Sequence, residues 1–373
     1  PYAPRTERAY PYRYGESVGL RRFDRLPTQA EAEALYPKTR EQMLLRDMAR
    51  TGQVPEKLRG IDFSDAPVTP LSLPELAPGT HEPYLDVPTE STVAWSAETF
   101  AEGRSWLLTY DLSFVPKDRV KPYAESSFQG LELGKDAKLP LAFFRSHPRP
   151  RYTLDGEGHP SVAAGEYPRH GWVELTGREL TYQGESFLET RDGHWVNKKH
   201  AVLPTPSPKD PWGDPVDVEA GKAPQGARRT WIEVSIYGGW LLAYEGHRPV
   251  YATLVSPGLG GVAPSTKSSK LDSTTPTGRF AITGKFVTAT MWGGSEALHA
   301  EVPWTQNFDG PYAIHSAYWH SEWGSLRSAG CVNVSPRDGR WLFEFTEPRV
   351  PKGWHAVRWV PNESPATVVR IHP

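Results

Sequence analysis

Apolar and polar residues alternate with a period of two over much of the last third of the chain, the spacing that puts one face of a strand on a core. Trp231-Ile232-Glu233-Val234-Ser235-Ile236-Tyr237 reads as a strand, and Gly239 to Gly246 as a turn and a second strand, so the two form a hairpin. Pro249 to Gly258 continues in the same style, and after a polar loop comes Thr275-Pro276-Thr277-Gly278-Arg279-Phe280. Helical spacing is convincing once, over Lys38 to Arg50, where Met43, Leu44 and Met48 make a thin stripe that stops near Gly52 and Pro55. That pattern predicts a helix docked on a later domain, followed by an extended, proline-rich stretch at 65–93.

The middle of the chain carries an internal repeat. Residues 102–117 slide onto 183–198 at an offset of 81, keeping Gly, Ser, Leu, Thr, Asp, Val and Lys, with Trp106/Phe187 and Phe114/Trp195 aromatic in both copies. Each copy reads as strand, Asp-containing turn, strand. The second, Arg191-Asp192-Gly193-His194-Trp195-Val196, resembles the hairpin of bacterial SH3-like modules, which places small barrels near 88–125 and 168–204. Their aromatics either fill two small cores or form a surface for glycan or another wall polymer. Pro204 to Pro211 and Gly221 to Arg229 read as a linker into the last domain.

A length of 373 residues suggests two or three domains. With 42 Lys+Arg against 44 Asp+Glu, the net charge of −2 gives no footprint for nucleic acid or an anionic membrane. Gly and Pro, 33 and 37 of them, punctuate the chain heavily, and 12% aromatics supply core material, which together predict a turn-rich, mainly β protein. No apolar run reaches the length of a membrane span, and a start at Pro1 suggests a processed chain that has lost an export signal.

Cys331 is the single cysteine, so no internal disulfide forms. His315 lies sixteen positions upstream, and the pairing suggests a thiol nucleophile with its own base. A thiol attacks carbonyls as thiolate, which leads us to expect a charged imidazole or oriented main-chain amides beside the sulfur. Gly330 has no Cβ to keep amides away from a reacting oxygen. The bland alternative is a buried cysteine acting as a small hydrophobe beside a satisfied core histidine. His320 lies five residues from His315, no His-Glu-x-x-His string occurs, and phosphate-loop and dinucleotide fingerprints are missing, so neither metal nor cofactor is expected.

The run from Tyr312-Ala313-Ile314-His315-Ser316 to Ser328-Ala329-Gly330-Cys331-Val332-Asn333 resembles the signature of the L,D-transpeptidases, the YkuD-type peptidoglycan enzymes. The likeness extends over roughly 229–361, including the opening hairpin and the Thr-Pro-x-Gly-x-Phe turn. It implies a C-terminal β-sandwich/barrel catalytic domain at 226–373, preceded by SH3-like modules and linker at 88–225 and an N-terminal extended and helix-containing segment at 1–87. It further implies Cys331 as nucleophile, His315 as acid/base, the Ser316 carbonyl orienting the imidazole, and main-chain N–H groups of Gly330, Cys331 and Ala329 around the oxyanion.

In the family a histidine usually stands where this chain has Ala329. Ser328 and Asn333 match polar positions of the signature, as loop-holding groups or as ordinary turn residues. Arg327 reads either as a partner for a substrate carboxylate or as a surface cation. Tyr312, Tyr318, Trp319 and Trp323 read as groove walls or as core, and Trp292, before Gly293 and Gly294, as part of a lid. The implied function is cross-linking of peptidoglycan stem peptides in the periplasm or cell envelope through a thioester on the diaminopimelate carbonyl, with D-alanine released and carbapenems as inhibitors. The alternatives are an L,D-carboxypeptidase or endopeptidase using the same site, and a non-catalytic wall-binding protein.

Overall fold

The computed structural model describes residues 3–35, 86–218, 228–262, 273–292 and 298–373. The helix expected at 38–50 and most of the stretch 65–93 lie outside them. The described chain is mainly β, and its contacts divide it into a unit of residues 15–121 and a unit of residues 4–14 with 122–373.

In the first unit a sheet runs in the order Phe114–Pro116, Arg104–Thr109, Thr92–Ala101, Arg13–Ser17, Val120–Pro122. Leu20, Val93, Trp95, Leu107, Val115 and Val120 fill its core. The central hairpin turns through Glu102 and Gly103, both with positive φ (51° and 68°), which matches the twist of a two-residue hairpin turn.

The repeat noted in the sequence is a repeat of structure as well. Eighty-one residues on, the strands Trp172–Tyr182 and Glu185–Thr190 turn through Gln183 and Gly184 at φ 50° and 80°. In each copy a threonine hydroxyl donates to the aspartate of the next turn, Thr109 to Asp111 and Thr190 to Asp192, both at 2.5 Å. Each ends in a single 3-10 turn, Lys117–Arg119 and Lys198–His200. The shared aromatics point inward: Trp106, Phe187 and Trp195 are buried and Phe114 is partly so. They pack inward rather than lining the surface.

The second unit carries the six-stranded sheet that includes Trp172–Tyr182 and Glu185–Thr190, and beyond it two further sheets that stack on each other. One runs Gly278–Ala281, Val368–His372, Thr230–Ser235, Trp240–Glu245, Arg248–Leu254, Leu131–Glu132; the other runs Val332–Val334, Tyr312–Ser316, Leu298–Asp309, Gly284–Trp292, Ala356–Arg358. Ile232, Val234, Leu241 and Tyr251 from the first meet Ile314, Val332 and Val334 from the second, and Leu342 of the helix Pro336–Phe345 joins them. Alternate residues Trp231, Trp240, Leu242 and Tyr244 face a second core with Phe128, Leu141, Phe143 and Trp323. Thr230–Ser235 is therefore buried on both faces, and its one ionisable residue, Glu233, is held by the Tyr244 hydroxyl at 2.7 Å and the Ser207 N–H at 3.2 Å.

The helix Pro336–Phe345 follows the strand Val332–Val334 directly and fixes it from behind. Ser335 caps the helix by accepting the Asp338 N–H at 3.1 Å. The fully buried Asp338 carboxylate accepts the Gly130 N–H (2.7 Å) and the hydroxyls of Tyr251 (2.6 Å), Thr253 (2.7 Å) and Ser335 (2.9 Å). At the far end, buried Lys285 donates to the carbonyls of Phe343 (2.6 Å) and Thr346 (2.9 Å), which have no helical partner of their own. Asp338→Ala strands four donors in a dry interior, and a loss of about 3–5 kcal/mol is expected, read as a lower urea midpoint.

Candidate active site

The site is built on two parallel neighbours, Tyr312–Ser316 and Val332–Val334, with Ile314 opposite Val332, His315 opposite Asn333 and Ser316 opposite Val334. Ile314, Val332 and Val334 face the core, which fixes the register and leaves His315 and Asn333 side by side on the other face. Cys331, half-buried, sits at the entry to the second strand.

The approach to Cys331 is held by side chains. Ser328 accepts the Gly330 N–H at 3.0 Å and donates to the Cys331 carbonyl at 2.5 Å. Thr275, from the Thr-Pro-x-Gly turn, donates to the Gly330 carbonyl at 2.9 Å and accepts the Gly258 N–H at 2.8 Å, so two segments widely separated in sequence are clamped together. Ser256 exchanges both main-chain hydrogen bonds with Asn333, at 2.8 and 3.0 Å. Gly330 has φ +130°, and a Cβ there would lie 2.7 Å from the Tyr312 ring and 2.9 Å from the Thr274 carbonyl.

His315 is buried, and its Nδ1 lies 3.1 Å from the Ser316 carbonyl. A carbonyl only accepts, so Nδ1 carries the proton and Nε2 offers the lone pair. Burial pulls the imidazole down to about 4, partly opposed by that carbonyl, and pushes the Cys331 thiol up to about 11. At neutral pH the two groups are thus a thiol and a neutral imidazole. Of the two aids to a thiolate expected from the sequence, a charged imidazole is not present at rest, because burial disfavours both ions. The thiol contacts the Pro311 carbonyl at 3.9 Å, and no hydrogen bond joins it to His315 among the described residues.

Two further histidines border the site. His299 stacks on Trp319 at 4.2 Å, and Trp319 lies 5.9 Å from the His315 ring. His320 accepts the Glu322 N–H through Nδ1 at 3.2 Å, so its Nε2 carries the proton. The Asn333 amide lies 3.0 Å from that nitrogen, and its otherwise unpartnered oxygen is the atom that suits it. Burial holds His320 down to about 3.

The other candidates divide. Ala329 and Arg327 are exposed, with Arg327 ion-paired to Glu322 at 3.3 Å. The Gly330 N–H, expected at the oxyanion, is already given to Ser328. Tyr318 is a core residue rather than a groove wall: its ring stacks on Tyr14 at 3.8 Å and its hydroxyl donates to the Ala300 carbonyl at 2.6 Å. Trp323 is fully buried as well. Trp292 is 74% exposed at a strand end, and the glycines of the expected lid lie outside the described residues. Thr275 and Ser256 were missed as loop holders, although the Thr-Pro turn itself was visible. Leu259, 64% exposed, carried no signal either. Leu259 donates its N–H to the Ser328 carbonyl at 2.8 Å, which puts an apolar residue beside the Cys331 loop without any sequence signal.

Residues 229–369 match the L,D-transpeptidase catalytic domain family, YkuD. Among solved structures, the chain is similar to an L,D-transpeptidase from Xylanimonas cellulosilytica (22% identity over 40% of this chain and 63% of that one, TM-score 0.27). It is also similar to a mutant L,D-transpeptidase from Enterococcus faecium (23%, 39% and 50%, TM-score 0.28) and to one from Mycobacterium smegmatis (12%, 66% and 88%, TM-score 0.29). The chain thus spans less than two thirds of the first two. Comparison with curated proteins gives no match.

Gly330→Ala is expected to cost about 2 kcal/mol or more, with a lower melting temperature and slower thiol labelling. A pH effect follows from the two neutral histidines. Unfolding frees His315 and His320 to bind protons below about 6.5, so stability falls as pH drops from about 6.5 toward 4, the value to which burial holds His315. Urea unfolding at pH 7.5 and 4.5 measures it, and His315→Gln removes part of the difference.

Proposed function

We propose that residues 229–369, an L,D-transpeptidase catalytic domain, act on peptidoglycan stem peptides by acyl transfer through a thioester on Cys331. The observation that carries this reading is the parallel pair of strands, which sets the Cys331 loop beside an imidazole whose Nδ1 is already committed to the Ser316 carbonyl.

Since thiol and imidazole are both neutral at rest, His315 works as a general base during attack rather than as the counter-ion of a standing thiolate. A donor carbonyl above Cys331 draws the sulfur in, Nε2 takes the thiol proton, and a C–S bond forms as negative charge collects on the carbonyl oxygen. The main-chain N–H groups of Cys331 and Ala329 receive that charge, the Gly330 N–H being occupied. As the tetrahedral species collapses, the C–N bond to the terminal D-alanine breaks and the imidazolium returns its proton to the leaving amine. An amine of a neighbouring stem then attacks the thioester, losing its proton to Nε2, and the thiol is reprotonated. The resting separation of the two side chains closes in the occupied site, as happens to many catalytic hydrogen bonds on binding. Ser328 and Thr275 hold the loop, and Asn333 with His320 holds the face beside His315. Such chemistry belongs in the cell envelope, and no described helix is long and apolar enough to cross a membrane.

Incubation with labelled tetrapeptide stems is expected to yield cross-linked dimers and a mass adduct on Cys331, also formed by a carbapenem. Cys331→Ala abolishes both, and His315→Ala slows dimer formation on the order of 100-fold or more. Tripeptide without dimer assigns hydrolysis, and absence of any adduct overturns the reading in favour of a non-catalytic protein. The alkylation rate of Cys331 should rise only through the alkaline range toward about 11, and an inflection near neutral pH would contradict the neutral resting pair.

A further inference from the structure

The chain turns sharply after the helix Pro336–Phe345 and builds a cavity of about 440 Å3 away from Cys331. Phe343 and Glu344 of its lining belong to the last helical turn, whereas the nucleophile strand lies at the other end of the helix. Trp304 and Phe343 form the floor, their rings 5.2 Å apart, and Val287 extends it. The indole of Trp304 is fixed by donating to the Ala9 carbonyl at 2.9 Å. Trp354 is the wall, and it is 63% exposed.

An exposed indole normally lies flat on a neighbour or moves freely, and this one is presented on a braced turn. The Trp354 N–H donates to the Pro351 carbonyl at 3.0 Å, Gly353 takes φ +83°, and the adjoining His355 is tied to the strand Gly284–Trp292 twice, by the Val287 N–H at 2.8 Å and through its own ring to the Thr288 carbonyl at 2.9 Å. The rim is cationic. Lys352 makes no ion pair among the described residues; Arg349 pairs with Glu347 at 3.1 Å, and Arg228, which also reaches Glu347 at 3.1 Å, has a closer partner in Glu245 at 2.8 Å. Glu344, the acid of the lining, is held by Arg340 at 2.9 Å.

An exposed aromatic face on a braced turn, beside the Lys352 ammonium that has no ion pair among the described residues, suits a ligand with an apolar C–H face and a carboxylate, and the volume fits one or two pyranose rings. Strand pairing with a peptide is disfavoured, because the N–H groups of Val287 and Trp354 are spent and Pro351 has none. We propose that this cavity is a subsite for a carboxylate-bearing saccharide, stacked on Trp354 with its acid toward Lys352 and Arg349. Its identification with wall glycan freed of its stem peptides, on which the lactyl carboxylates are exposed, rests on the reading of the Cys331 site, but binding at the cavity does not require a reactive thiol.

The test is calorimetric titration of the whole chain with peptide-free oligosaccharides of alternating N-acetylglucosamine and N-acetylmuramic acid, and with neutral chitotetraose. The acidic oligomer should bind more tightly than the neutral one. Trp354→Ala should weaken it about tenfold, and Lys352→Ala should weaken the acidic oligomer alone, with carbapenem labelling of Cys331 unchanged in both variants. Unchanged affinity in Trp354→Ala, or equal binding of the neutral oligomer, overturns the proposal. Cys331→Ala separates the two readings, since it should lose labelling and keep saccharide binding.

Discussion

Two strands separated by a fifteen-residue excursion lie side by side in parallel, and everything at the candidate site depends on that pairing. A parallel pair cannot be closed by a short turn, so the chain has to leave the sheet and return. The excursion from Ala317 to Cys331 is that return path, and it supplies Trp319, His320, Ser328 and Gly330. Register is set from the core side by Ile314, Val332 and Val334, where a slip of one residue would turn apolar side chains toward solvent. On the opposite face the same register leaves His315 no freedom to be anywhere but beside Asn333.

The pairing is supported by buried polar groups, each of which would be costly alone. Asp338 gathers four donors behind the strand Val332–Val334, and Lys285 closes the other end of the same helix. Gly339 lets that helix approach Ser316 so closely that a Cβ would lie 1.9 Å from its hydroxyl oxygen. Helix, strand and loop are therefore one mechanical unit, and the loop that carries Cys331 is held from below by the helix and from the side by Thr275.

Burial also decides the electrostatics. A thiol and an imidazole taken out of water each retreat to the neutral form unless paired, and here both do. The consequence is that the Cys331 thiol and the His315 imidazole are both neutral at pH 7. The Ser316 carbonyl accepts the Nδ1 proton of His315 and leaves the Nε2 lone pair free of it. The cavity beside Trp354 follows the opposite logic, with charged side chains kept at a solvent-exposed rim and the Trp354 indole 63% exposed.

The sequence by itself determined what periodicity and short strings encode. The hairpin of Trp231 to Gly246, the mainly β character, the 81-residue repeat and the Cys331/His315 signature are all set by neighbours in the chain, and strand alternation and turn residues act locally. Only tertiary structure decided which aromatics are core and which are surface. Tyr318 is taken by Tyr14, 304 positions away, while Trp354 is left bare, and nothing near either residue distinguishes them. The same holds for the protonation of the site and for the Gly330 N–H, because desolvation and hydrogen-bond competition are sums over groups that folding brings together from distant parts of the chain.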